Sequence, residues 1–418
     1  VHRGTGRRRR ARRGRRQRRA VPPDTPDTAD TAATAATADP HPHSKGRTLV
    51  TTTPIPRPAH RRHVEAVAAD PYERGTVRGG QLRATLPAAI EVYDRLFALG
   101  GVTEAAVRAD AERASEAIGA FRPAAHAEIE GIARGAGVEP WRVAALNART
   151  EILARSTSVP PGECTTIVRR VTAGRAGTAP RTFGAQTWDW HVELSELWHT
   201  VEVRGGRHGV VGLTEDGILG KIGVNSAGLA LHFNILGHVR DGVGGVPVHV
   251  LAAVVLEEAG SVAEAVEIVR GAPVASSGSF ALFDEADAVL LDLSPVGVFA
   301  VAPEDGTFLR TNHFLTPRPA AGEKTWLYQP DSGRRRDFVR ARLARRGAPA
   351  TPGGLTGLLV TGDGEPPVTC LPDLDKPLGQ RWASLATVAL EPAARTARIL
   401  DGTPADIGSR DWRVLVAR

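Results

Sequence analysis

Gly162-Glu163-Cys164-Thr165-Thr166 is where the pattern of the chain changes. Before it, apolar residues recur at helical spacing. After it, short β-branched runs are separated by turn residues. Working upstream, Leu86, Ile90, Tyr93, Leu96 and Phe97 mark a helix within residues 82–99, and Thr103 opens an Ala- and Glu-rich helix to about Ile118. A third helix fits Pro123 to Arg134, stopped by Gly135-Ala136-Gly137, and a fourth fits Pro140 to Leu153 with proline in its first turn. Order is expected from about Val64. Working downstream, strands are predicted at residues 167–171, 182–186, 198–204, 209–213, 218–224 and 229–234, with Asp216-Gly217 as a hairpin turn. A helix at 247–258 and another from Ser261, whose Ser261-x-x-Glu264 spacing is a capping box, interrupt them. Strands resume at 279–283, 288–293, 298–301, 308–311, 384–390 and 396–400. Residues 330–380 read as a polar excursion with a short helix near Arg336–Ala344. Helices, then antiparallel strands around a helix pair, then strands again predict an α+β layered body.

Composition narrows the function. Eleven arginines and no acid lie in residues 1–20, and removing them from a net charge of +7 leaves the remainder at −4. The basic character belongs to a tail, so a face-wide nucleic-acid surface is not supported. Residues 24–39, rich in Thr, Ala, Asp and Pro, have nothing to bury, and residues 1–63 are expected to be a disordered tail. No run of eighteen apolar residues suggests a membrane helix, and no apolar segment follows Arg18-Arg19, so a cytoplasmic location is expected. The histidines join no cluster with metal-ligand spacing, and no metal site is expected. Gly242-Val243-Gly244-Gly245 matches neither a P-loop nor a dinucleotide fingerprint.

The two cysteines, Cys164 and Cys370, do not make a disulfide scaffold. Taken alone, Cys164 is either a packing residue or a nucleophile. Its neighbours in sequence order weigh on the choice: Gln186-Thr187-Trp188-Asp189-Trp190, Ser276-Ser277-Gly278-Ser279-Phe280, Thr311-Asn312-His313-Phe314 and, upstream, Asn147-Ala148-Arg149-Thr150-Glu151. Together with Gly162–Thr166 these segments resemble the isopenicillin N acyltransferase family of N-terminal nucleophile hydrolases, from about Tyr72 to the C-terminus.

The resemblance implies a four-layer αββα sandwich and a precursor that cuts itself between Glu163 and Cys164. The products would be a mainly helical segment, 64–163, and a catalytic segment, 164–418, that remain one folded body. It implies that the freed α-amine serves as base for the Cys164 thiol, since an α-amine titrates at about 7.7–8.0. It assigns Asp189 to orient that amine and Asn312 to donate an N–H to the oxyanion. Trp188 and Trp190 would wall an acyl pocket, with Ser277 and a late-chain arginine, Arg381, beside it. Ser277 also reads as a turn hydroxyl, His313 as structural and Cys370 as a bystander. The expected substrate is a linear amide or acyl thioester, with coenzyme A as a carrier of the acyl group and no other cofactor. The chain departs from the family pattern at Glu163, where the fungal penicillin enzyme has glycine, and at Thr187, where asparagine is common. Two other readings stand: an unprocessed homologue that binds an acyl or amide ligand without turnover, and a nucleic-acid-associated protein acting through the arginine tail.

Overall fold

The computed structural model describes residues 55–156, 164–172 and 180–418. The tail expected before residue 55, and Glu163, lie outside the described residues. The chain runs through β1 (His63–Val67), α1 (Pro71–Leu82), α2 (Leu86–Leu99), α3 (Glu104–Phe121), α4 (Pro123–Ala136), α5 (Pro140–Asn147) and α6 (Arg149–Leu153). Strands β2 (Thr165–Val171), β3 (Arg181–His191), β4 (Trp198–Arg204), β5 (Val210–Glu215), β6 (Ile222–Asn225) and β7 (Ala230–Ile235) follow. Helices α7 (Val248–Glu258) and α8 (Val262–Gly271) separate these from β8 (Gly278–Phe283), β9 (Ala288–Ser294), β10 (Gly297–Val301) and β11 (Thr307–Arg310). Two helical turns, α9 (Pro317–Ala320) and α10 (Thr325–Tyr328), lead to α11 (Asp331–Arg346), α12 (Pro352–Leu358), β12 (Trp382–Glu391), β13 (Thr396–Leu400) and β14 (Trp412–Val416).

The strands form two sheets. One has the order β1-β4-β5-β6-β7-β8-β9-β10, the other β11-β2-β3-β12-β13-β14. All pairings are antiparallel except β1 on β4. The sheets face each other, and polar side chains tie them as well as apolar ones: Gln186 on β3 donates to the Phe233 carbonyl at 2.6 Å, and Thr166 on β2 donates to Asn234 Oδ1 on β7 at 2.7 Å. Helices α7 and α8 lie against the eight-stranded sheet, and α12 lies against β3 and β12 of the other. The architecture is a four-layer αββα sandwich of the α+β class.

The sequence reading passed over α1, and its glycines explain why. Gly75, Gly79 and Gly80 look like helix breakers. In the structure Gly75 and Gly79 let the backbone of α4 approach: a Cβ on Gly75 would sit 2.1 Å from the Glu128 carbonyl oxygen, and one on Gly79 2.1 Å from that of Ile132. Gly131 and Gly135 of α4 answer with the same spacing against Tyr72 and Thr76. The spacing of four puts each glycine pair on one helix face. Buried Arg74 and Arg78 share Glu128 across the crossing, at 2.9 and 2.7 Å, and Arg78 also reaches the Ile218 and Leu219 carbonyls.

Three further boundaries moved. Order starts upstream of Val64, because Arg61 stacks its guanidinium 3.8 Å from the Trp198 ring centroid and pairs with Asp401 at 2.9 Å. The helix expected over Pro140–Leu153 breaks at Ala148 into α5 and α6. The helix expected near Arg336–Ala344 begins earlier, at Asp331, directly after Pro330. That shift brings Arg335 into the helix.

Candidate active site

Cys164 stands immediately before β2 and is 4% exposed. Its main-chain N–H donates to Asn312 Oδ1 at 2.9 Å, across 148 residues of sequence. Asn312 follows β11, the strand antiparallel to β2, so the sheet pairing itself delivers the amide to the Cys164 nitrogen. Two donors, Cys164 N–H and Arg335 Nη2 at 3.0 Å, point at one end of the Asn312 amide, and the other end meets the Ile235 carbonyl at 3.0 Å. Donors on one side and an acceptor on the other fix which end is oxygen. The amide thus presents its oxygen to Cys164. One N–H of the Asn312 amide, the group assigned from the sequence to an oxyanion, donates to the Ile235 carbonyl.

Arg335 is the arginine at this site. It is fully buried, and it donates from Nη1 to the Cys164 carbonyl at 3.2 Å and to Thr165 Oγ1 at 3.1 Å, while Asp331 one turn earlier holds its Nε at 2.6 Å. Arg381, assigned from the sequence, is placed otherwise: its Nε donates to the Lys376 carbonyl at 2.6 Å and its charge faces Glu193 at 3.5 Å. Asn234 Nδ2 adds a second donor to the Cys164 carbonyl at 3.0 Å.

Asp189 lies on β3. Its main-chain carbonyl is 3.9 Å from Cys164 Sγ, and its buried carboxylate accepts from Ser384 at 2.6 Å and Thr187 at 3.3 Å. Thr187 in turn accepts from the Thr165 N–H at 3.1 Å, so a hydroxyl connects the carboxylate to the residue after Cys164. The departure at Thr187 therefore has a local use. Burial pushes the Cys164 thiol up to about 12, and the charge on Asp189 adds to the rise; Lys221 and Arg335 act in the opposite direction.

The tryptophans have different surroundings. Trp190 lines a narrow cleft with Thr150, Ile235, Asp241 and Lys324. Trp188 packs edge-on against Trp198 in the core, and Lys221 Nζ lies 4.7 Å above its ring. Beneath them runs a polar network without a sequence signature. Glu215 binds Lys221 at 2.7 Å and Arg149 at 2.5 Å, and accepts from Tyr93, whose hydroxyl also receives the Trp190 indole N–H at 2.9 Å. Burial works against the Glu215 carboxylate, yet Arg149 and Lys221 outweigh it and hold it at about 2. Burial draws the Lys221 ammonium down to about 8 despite Glu215. Ser277 donates to Asp241 Oδ1 at 2.6 Å and reaches the cleft only through that residue. The Cys370 N–H donates at 3.0 Å to Ser384 Oγ, the hydroxyl that in turn donates to Asp189. His313 shares Ser332 Oγ at 2.7 Å, a structural contact.

The fold brings Cys164, Asp189 and Asn312, singled out from the sequence, into one neighbourhood. Arg335, Asn234, Lys221, Asp241 and Lys324 stand around them and were not singled out. A signal for Arg335 did exist: Asp331 four residues before it, after a proline, is a helix start with an ion pair on one face. Among the described residues, no helix is long and apolar enough to cross a membrane.

Comparison with known proteins adds to this geometry. Residues 177–349 match the family described as acyl-coenzyme A:6-aminopenicillanic acid acyl-transferase. The chain is 33% identical over 214 residues to the acyl-coenzyme A:6-aminopenicillanic-acid-acyltransferase 40 kDa form of Emericella nidulans, a match covering 50% of this chain and 57% of that protein. The match thus spans little more than half of that relative's length. Among solved structures, penicillin V acylase from Agrobacterium tumefaciens aligns with 60% of this chain and 86% of its own, at 13% identity and a TM-score of 0.31. A variant of conjugated bile acid hydrolase from Clostridium perfringens aligns with 61% and 84%, at 10% identity and a TM-score of 0.33. The segment 177–349 is thus similar to the acyl-coenzyme A:6-aminopenicillanic acid acyl-transferase family, and about half of the chain to a relative of that description at one-third identity.

Proposed function

We propose that the chain is a self-processing cysteine hydrolase or acyltransferase that carries the acyl group of an amide or thioester on Cys164. The observation that supports this most is the hydrogen bond from the Cys164 main-chain nitrogen to Asn312 Oδ1, backed by Arg335. In a packing cysteine, that nitrogen needs no dedicated side-chain acceptor from a distant strand. Here the acceptor sits where a liberated α-amine would need holding.

The chemistry follows from the thiol's surroundings. While the chain is continuous, the Cys164 nitrogen is an amide and cannot take a proton, and burial keeps the thiol protonated. Self-cleavage begins when Sγ bonds to the Glu163 carbonyl carbon. The C–N bond breaks, the nitrogen leaves as the α-amine carrying the thiol proton, and a thioester remains. Water hydrolyses the thioester, releasing the Glu163 carboxylate and regenerating the thiol. In turnover the α-amine, kept beside Asn312 Oδ1, accepts the thiol proton as Sγ attacks the substrate carbonyl and passes it to the leaving amine or thiol. Water or an amine then takes the acyl group. Arg335 and Asn234 fix the Cys164 carbonyl, and Asp189, through Ser384 and Thr187, stiffens the strand carrying the carbonyl nearest Sγ.

Intact-mass measurement of the purified chain tests the reading. Two fragments meeting at Glu163/Cys164, and an acyl adduct on the fragment beginning at Cys164, are expected. Persistent full-length protein with an unlabelled Cys164 would instead leave the unprocessed-binder reading.

A further inference from the structure

Both sheets run out at the same place, and the space between their ends is not filled. β10 is the outermost strand of the eight-stranded sheet and β11 that of the six-stranded one. Where these edges meet, with the second half of α11 as a further wall, lies a cavity of about 430 Å³. Sites for small organic molecules run from about 300 to 1,000 Å³. The cavity shares no lining residue with the cleft beside Trp190. Arg169 brings β2 into its wall, and at about 3.3 Å per residue that is some 16 Å along the strand from Cys164.

The walls are of two kinds. Leu290, Val301, Phe308, Leu315 and Leu343 are apolar. Against them stand the guanidinium groups of Arg169, Arg336 and Arg340 and the carboxylates of Glu304 and Asp305, so one positive charge is in excess. Glu304 Oε1 takes Arg336 Nη2 at 2.8 Å and lies 3.8 Å from Arg340 Nη1, so one oxygen serves two cations. Arg169 pairs with neutral acceptors: its Nη1 donates to the Asp305 main-chain carbonyl and, at 3.0 Å, to Thr307 Oγ1. The Nε atoms of Arg169 and Arg336 are buried without a partner among the described residues. Arg169 Nη2 and Arg336 Nη1 also lack an acceptor there, but they stay accessible.

Those two nitrogens set the chemistry of an occupant. A guanidinium offers donors in a fixed fork that matches the two oxygens of a carboxylate. The Thr307 hydroxyl, already bonded to Arg169, is the one uncharged polar side chain in the lining, which leaves little to read a sugar or a base. An excess of one positive charge beside apolar walls suits a single anionic head on an aliphatic body.

We propose that this cavity is a second ligand site, separate from Cys164, and that it takes an aliphatic carboxylate, with the head on Arg169 and Arg336 and the chain along the apolar walls between the sheet edges. The assignment does not use the nucleophile reading and stands whether or not the chain cuts itself.

Isothermal titration calorimetry on the full chain tests it, with decanoate, decanol and acetate as probes. Decanoate is expected to bind one to one. Decanol, without the charge, and acetate, without the chain, are each expected to bind at least about tenfold more weakly. Arg336→Met should weaken decanoate about tenfold to a hundredfold, the worth of one charge-assisted hydrogen bond. Leu343→Trp, which puts an indole into the space, should abolish binding. Arg345→Met removes the same charge from an exposed position of α11 outside the cavity, and should leave the affinity within about twofold. Cys164→Ala should bind as the wild type does. Absence of decanoate binding overturns the proposal, as does decanol binding equally well. Unchanged affinity in either Arg336→Met or Leu343→Trp, or loss in Cys164→Ala, would put the ligand elsewhere. Equal weakening by Arg345→Met would reduce the effect to net charge.

Discussion

Replacing Arg335 with methionine, and Arg381 with methionine in parallel, sets the structure against the sequence. Arg335 is fully buried and donates four hydrogen bonds, to Asp331, the Cys164 carbonyl, Thr165 and Asn312. Methionine fills similar volume but supplies none of them. Asp331 is partly exposed and can turn to water, so the stability loss comes mainly from the three inner acceptors; the expected cost is about 3–5 kcal/mol, the usual range for breaking a buried charged contact. Unfolding entropy grows with chain length, so in a body this large that corresponds to a melting shift of roughly 5 °C. The site effect is separate. Asn312 loses the charge that orients its oxygen, and one charge-assisted hydrogen bond is worth about 1.5–3 kcal/mol, or roughly a tenfold to hundredfold slower appearance of the 164–418 fragment. Arg381→Met removes a partly exposed contact and is expected to cost under about 0.5 kcal/mol, with fragment formation within roughly twofold of wild type. Scanning calorimetry and time-resolved intact mass read both quantities. Normal processing in Arg335→Met, or equal damage from Arg381→Met, would show that the arginine beside Cys164 has been misassigned.

The other expectations use the same logic. Gly131→Ala would place a methyl 2.1 Å from the Tyr72 carbonyl oxygen and force α1 from α4, whereas Gly80→Ala meets nothing within 4 Å on an exposed helical position. The first should lower the melting temperature by the equivalent of about 1–3 kcal/mol and the second raise it slightly, so melts of equal sign would refute the glycine crossing. Glu151 is buried with Oε1 held by the Val248 N–H at 2.9 Å and by Ser276, Oε2 has no partner among the described residues, and burial raises its carboxyl to about 7. A carboxyl raised above its unfolded value lends its full stability below about pH 4.5 and loses it as pH climbs through 7, by roughly 3 kcal/mol. Glu151→Gln should therefore gain stability over wild type between pH 5 and pH 8, and a difference that is flat with pH would mean the carboxyl is not neutral in the folded state. Ser384→Ala removes the closest donor to Asp189 and should slow both cleavage and turnover about tenfold while leaving the circular dichroism spectrum intact; wild-type kinetics would detach Asp189 from the site.

What could be read from the chain was what is local. Alternating runs and turn residues located most strands, and Ser261 caps α8 as expected, its hydroxyl accepting the Glu264 N–H at 3.2 Å. Cys164, Asp189 and Asn312 were legible because each lies in a short segment with its own composition. Arg335 was not, because it is the middle of three consecutive arginines and only the helical phase set by Pro330 and Asp331 decides which one turns inward. The Tyr93–Arg149–Glu215–Lys221 network comes from four separate stretches and has no spacing to detect. Helix α1 hid behind its own glycines, since the property that makes glycine a poor helix former is the one that lets two helices touch backbone to backbone.

The edge position of β1 bears on what a break at residue 163 would do. This strand runs parallel to β4 and completes the eight-stranded sheet, while Arg74 of α1 reaches Glu257 of α7 at 2.8 Å. The described residues before that point, 55–156, are woven into layers built by residues that follow it. Severing the chain would thus yield an obligate pair of polypeptides rather than a discarded leader, and each partner produced separately would expose apolar faces designed for the other.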